Sequence, residues 1–177
     1  MKLLPEHYDE LVMIRHYIHE HPELSGQEFK TTQFLTDYLQ DLDITVLATG
    51  LKTGLVAQIG SGQPVIALRA DIDALPIIEN IGLAFASKHA GVMHACGHDT
   101  HVAILMGVAE VLAQMRKDLA GTIVFVFQPA EEVQVIGLGD HDGVDLLPAG
   151  TSLHPAAHRA ARARGAAGAQ PAASGRA

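Results

Sequence analysis

Apolar residues recur on two different periods along this chain, and the change from one to the other lays out its elements. Leu11, Ile14 and Ile18 fall at helical spacing between Pro5 and His21, and Pro22 ends that helix because its ring cannot continue the ladder. Ser25, with Glu28 three residues later, predicts a capping box that opens a second helix over 27–42. Its apolar face is Phe29, Phe34, Leu35, Tyr38 and Leu39. Short β-type runs follow at 44–47, 55–59 and 65–70, and Ser61-Gly62-Gln63 between the last two predicts a hairpin. Helical spacing returns over 100–116 at Ile104, Leu105, Val108 and Leu112. Residues 121–128 form a continuous apolar run of strand length, expected of a strand buried on both faces. Helices alternating with strands predict an α/β fold, a three-layer sandwich around a central, mostly parallel sheet.

In such a sheet the ligand site lies beyond the carboxyl ends of the strands. The polar residues fall there. The run 65–70 leads into Asp71-Ile72-Asp73, and the run 123–128 leads into Pro129-Ala130-Glu131-Glu132. His94-Ala-Cys96-Gly97-His98-Asp99-Thr-His101 stands just ahead of a predicted helix N-terminus.

Composition sharpens this picture. Of 177 residues 48% are apolar, enough for a core, and with no Trp and eight Phe and Tyr together that core is aliphatic. Formal charge is −8, which argues against general nucleic-acid binding. One cysteine forbids an internal disulfide and fits a reducing compartment. The start shows no apolar signal core and no long apolar run occurs, so a soluble cytoplasmic protein with no membrane partner is expected. All 20 acidic residues lie at or before Asp145, whereas the last 23 residues hold four Arg, eleven Ala and no acid. Residues 146–177 are therefore expected to form a low-complexity, disordered tail, with 1–145 as the folded part.

Eleven histidines raise the prior for a metal site. Cys96 and His98 flank Gly97, whose backbone freedom lets two side chains one residue apart face a common point. A thiolate with an imidazole selects ions such as Zn, Co, Ni or Mn over Mg or Ca. Asp99 is placed to accept the second ring N–H of His98. By itself Cys-Gly-His fits equally a lone cysteine ahead of a capping Asp99. Glu131 and Glu132 repel one another, so a fold gains little by pairing them; one can bind a cation while the other takes a proton from water. Alone, the pair also fits two solvated side chains on a loop. Asp71 and Asp73 reach the same edge if the strand bends there. His16, His19 and His21 fit a solvated or packed helix face better than a ligand set. A thiol nucleophile at Cys96 is disfavoured, because nearby carboxylates oppose the thiolate.

Four segments appear in order: Arg15-His-Tyr-Ile-His19-Glu-His-Pro22-Glu23-Leu-Ser, Arg69-Ala-Asp-Ile-Asp-Ala-Leu-Pro76, the segment 94–101, and Phe127-Gln-Pro-Ala-Glu-Glu132. Together they resemble the M20 metallopeptidase/amidohydrolase family, in the branch of N-acyl-amino-acid amidohydrolases, hippurate hydrolase and N-acetyldiaminopimelate deacetylase. The resemblance implies two divalent metal ions (Zn, Mn, Co or Ni) with Cys96, His98 and Glu132 as ligands and Glu131 as general base. It implies hydrolysis of the amide of a small N-acyl amino acid, with Asp71, Asp73 and Asp99 as supports at the site's edge. Full-length relatives are expected to be homodimers.

The family pattern stops at Glu132. Family members continue through more of the catalytic domain and a lid or dimerisation domain that supply two further His ligands. His154 faintly resembles the first of these. The Ala/Arg/Gly tail has the look of an out-of-frame product, so a truncated or frameshifted chain with weak or absent amidase activity is expected. The alternative in another class is an inactive fragment serving as a binding module.

Overall fold

The computed structural model describes residues 5–133 and the backbone of 152–153. Helix α1 spans Pro5–Glu20 and α2 spans Phe29–Asp41. Strands β1 (Thr45–Val46), β2 (Leu55–Ser61) and β3 (Val65–Asp71) follow, then α3 (His98–Gln114), β4 (Gly121–Gln128) and β5 (Ser152–Leu153). The elements agree with the apolar periods within a few residues, except that α3 begins at His98 and so takes two residues of the Cys-Gly-His-Asp segment into its first turn.

The sheet order is β1-β2-β4-β3-β5. β4 runs parallel to β3 and antiparallel to β2, while β3 and β5 are parallel. The predicted hairpin over Ser61-Gly62-Gln63 does not form, because β4 lies between β2 and β3. Thr122 fastens the connection instead: its N–H donates to the Pro64 carbonyl at 2.9 Å and its hydroxyl to the Gly62 carbonyl at 2.9 Å. The reason lies in β4 itself. Phe125 and Phe127 on one face and Val124 on the other are fully buried. A hairpin would leave this run at an edge, whereas the central position pairs it with β2 on one side and β3 on the other and sets its side chains in the middle of both faces.

One face of the sheet packs against all three helices. Leu55, Ala57, Phe125, Phe127 and Ala70 meet Ile14 and Ile18 of α1, Leu35 and Leu39 of α2, and Val102 and Met106 of α3. The opposite face gathers Val56, Val65, Ala67, Val124 and Val126. A helical layer on that face is not among the described residues, and the tail 146–177 and His154 also lie outside them, apart from the backbone of β5. No described helix is long and apolar enough to cross a membrane. Phe125 is at the centre of the helix-covered face, so Phe125→Ala should cost about 3–5 kcal/mol. Urea unfolding of the two chains measures this, and a loss below 1 kcal/mol would contradict the packing described.

The predicted capping box is also absent. Ser25 donates its hydroxyl to Asp73 Oδ2 at 2.7 Å, and Glu28 makes no side-chain cap. The Glu23 carboxylate accepts the first-turn N–H groups of Lys30 at 3.2 Å and Thr31 at 2.8 Å in its place.

Candidate metal centre

Because β3 and β4 are parallel, their carboxyl ends share one edge, and the amino end of α3 meets that edge. Gly97 precedes the helix at φ 82°, a left-handed conformation that suits glycine, and the turn it makes drives His98 inward to 1% exposure. His98 Nδ1 donates to the Asp73 backbone carbonyl at 2.9 Å, with Asp73 Oδ1 at 3.2 Å. Within hydrogen-bond distance only acceptors face Nδ1, so in the neutral ring the proton sits there and the lone pair lies on Nε2.

That lone pair faces oxygen. Glu132 Oε1 lies 3.7 Å from Nε2, Glu131 Oε2 3.9 Å and Asp71 Oδ2 4.0 Å. These separations are too long for hydrogen bonds and suit atoms arranged around a shared cation. Glu132 Oε1 is buried with no hydrogen-bond partner, while the Glu132 N–H donates to Asp73 Oδ2 at 2.9 Å. Two groups of three potential ligands result, both using His98: His98 with Glu131 and Glu132, and His98 with Asp71 and His101.

The electrostatics follow from this crowding. Burial pushes the Glu131 carboxyl above its ordinary range, and the charges of Asp71 and Glu132 push it further. Burial alone would also raise Asp73, but His98, the Glu132 N–H and the Ser25 hydroxyl outweigh it and hold the carboxyl at about 2. For His98 burial works against the proton, yet Asp73 and Asp71 prevail and its pKa is raised. His94 is held down to about 4, chiefly by burial, and neither of its ring nitrogens has a hydrogen-bond partner.

Of the residues singled out in the sequence, His98, Glu131, Glu132, Asp71 and Asp73 therefore meet. Asp99 does not orient His98; Asp73 takes that place. The Asp99 carboxylate turns toward α1, accepting from Arg15 Nε at 3.1 Å and His19 Nδ1 at 2.9 Å, while His19 Nε2 reaches Glu79 at 3.3 Å. This buried network locks the start of α3 onto α1. Asp99→Ala should destabilise the fold by about 1–3 kcal/mol by stranding the buried His19. Thermal unfolding checks this, and an unchanged midpoint would refute it. His16 stacks on Phe85 with ring centroids 3.7 Å apart, and His21 Nδ1 donates to the Tyr17 carbonyl at 2.8 Å in an exposed contact one turn back. Cys96 is exposed in the turn before α3, and no close group of three ligands among the described residues includes it. His101, half exposed one turn after His98, joins His98 and Asp71; the helix expected from 100 leaves His98 outside, and only the observed start of α3 at His98 puts the two histidines three apart on one helix.

Comparison with known proteins gives one consistent picture. The model of peptidase family M20/M25/M40 matches residues 67–161. N-acetyl-L-cysteine deacetylase of Bacillus subtilis is 50% identical over 145 residues, covering 78% of this chain and 35% of that protein. N-acyl-L-amino acid amidohydrolase of Geobacillus stearothermophilus is 44% identical over 154 residues, covering 82% of this chain and 42% of that protein. The crystal structure of the B. subtilis YXEP protein, described as a dinuclear metal-binding peptidase from the M20 family, superposes with a TM-score of 0.70 at 51% identity. It covers 72% of this chain and 36% of that one. The chain thus spans between a third and a half of the length of these relatives.

Proposed function

This chain belongs to peptidase family M20/M25/M40, and from that premise we propose that it carries the metal-holding part of an amidohydrolase acting on N-acyl amino acids. The supporting observation is the free Nε2 of His98 facing three carboxylates, beside a buried and unpartnered Glu132 oxygen. An imidazole nitrogen with carboxylate oxygens suits a transition-metal ion, and Cys96 as a further donor would favour Zn, Co, Ni or Mn. His98, Glu132 and Cys96 would hold two such ions, with Asp71 at the edge of the site. Divalent ions there supply positive charge against the oxyanion that develops when an amide is attacked.

The remaining work falls to side chains. Asp73 fixes the His98 tautomer and holds the Glu132 backbone. Glu131, whose carboxyl keeps its proton more readily than an ordinary one, takes a proton from the attacking water and passes it to the leaving amine. The names of these two relatives, a deacetylase of N-acetyl-L-cysteine and an amidohydrolase of N-acyl-L-amino acids, support a substrate in the class of N-acyl amino acids. Residues 1–145 are read as the amino-terminal part of the catalytic domain.

The chain loaded with zinc or manganese and then dialysed should retain bound ions, and His98→Ala should lose them. Slow cleavage of N-acetyl and N-benzoyl amino acids should stop on adding a chelator. Hydrolysis that persists in chelator would replace this reading with a thiol mechanism at Cys96, and a chain that retains no metal would overturn it.

A further inference from the structure

The turn bearing Glu131 and Glu132 is gripped from behind by residues far away in sequence. Ala130 sits at φ 55°, a region that residues other than glycine rarely occupy and that persists only where neighbours enforce it. Its N–H donates to Glu28 Oε1 at 2.8 Å. Glu28, at the start of α2, is fully buried, and its Oε2 has no hydrogen-bond partner. One hydrogen bond is a poor return for taking a carboxylate out of water, so stability alone does not account for this residue. One turn along, the Thr32 hydroxyl donates to the Glu28 carbonyl at 2.6 Å and accepts the Gly54 N–H at 2.8 Å. Gly54, at φ 74°, presses so closely on the same turn that a Cβ there would stand 2.4 Å from Pro129 Cδ. Asp73 closes the far end through the Glu132 N–H.

We infer that Glu28 is a positioning residue: braced by Thr32 and Gly54, its carboxylate holds Ala130 in the left-handed turn and so sets where Glu131 and Glu132 face His98. This role rests on the metal-site reading above, but the bracket itself is testable without metal. Glu28→Met keeps the length of the side chain and removes its acceptors, while Glu28→Gln keeps an acceptor oxygen.

In the metal-free chain, amide exchange at Ala130 should be about tenfold faster in Glu28→Met than in the parent, and near the parent rate in Glu28→Gln. Zinc affinity by calorimetry should fall about 10–100-fold in Glu28→Met and within about threefold in Glu28→Gln. Leu39→Ala, buried elsewhere on α2, should lower the melting temperature and leave zinc affinity alone. A folded Glu28→Met with parental exchange and parental affinity overturns the inference, as does an equal affinity loss in Leu39→Ala. If Glu28→Met fails to fold, Thr32→Val must show the same two shifts, smaller in size, or the inference falls. A parent chain that binds no zinc defeats the metal reading, and exchange at Ala130 then still decides whether the bracket exists.

Discussion

Glu131→Gln should leave the bound metal in place and slow amide cleavage by about 10²–10⁴-fold, the usual worth of a positioned general base. The substitution preserves size and one oxygen, so the turn and its backbone bonds stay as they are. What it removes is a carboxylate whose Oε2 stands 3.9 Å from His98 Nε2, close to an oxygen of Glu132 and in the field of the Asp71 charge. Burial and those two charges raise its pKa, the environment of a group that must hold a proton for part of the cycle. The two neighbouring glutamates differ in ways that assign their roles. Glu132 has a buried oxygen without a partner and a backbone N–H tied to Asp73, which fits a ligand held in place. Glu131 is the more exposed of the two, which fits a group that meets substrate and water. Metal content and rate are measured on the same preparation. Loss of metal in proportion to loss of rate would make Glu131 a ligand, and an unchanged rate would remove it from the chemistry altogether.

The sequence made the elements legible because amphipathic period is a local property. Ile14 and Ile18, or Leu35 and Leu39, face the sheet wherever the sheet is, so their spacing announces α1 and α2 unaided. Pairing is not local. Ser61-Gly62-Gln63 looks like a hairpin turn, but its outcome was decided sixty residues later by Phe125, Phe127 and Val124, which need cover on both faces of β4. The capping box failed for a similar reason. Ser25 and Glu28 have the spacing to cap α2, yet Asp73 and Ala130 compete for them and prevail.

At the site, the residues at strand ends were the readable ones. Asp71, Asp73, Glu131 and Glu132 converge because parallel neighbours end at the same edge, which a strand pattern already implies. Asp99 was misjudged as the partner of His98 because adjacency in sequence is not adjacency on a helix. Consecutive residues point about 100° apart, so Asp99 turns to Arg15 and His19 while His98 turns to the sheet. Glu28, Thr32 and Gly54 gave no signal of their own, since their meeting with Pro129 and Ala130 exists only in the folded chain.

His98→Ala should abolish metal retention, exceeding the roughly 10–100-fold that a change outside the ligand shell costs. His98 is the one residue common to the two groups of potential ligands at this site, and its ring brings a nitrogen donor among carboxylates that otherwise repel one another. Its loss also strips Asp73 of one of the three partners that together hold that carboxyl at about 2, so the variant should be about 1–3 kcal/mol less stable. Cys96→Ser separates the sulfur from the rest. If the thiolate joins the donor set, the cobalt-loaded parent shows sulfur-to-metal charge-transfer absorption that Cys96→Ser lacks, together with weaker binding. An unchanged spectrum and affinity would leave the ion to His98, Glu132 and their neighbours Asp71, Glu131 and His101. Parental metal content in His98→Ala would be more damaging, because no other described imidazole faces the free oxygen of Glu132.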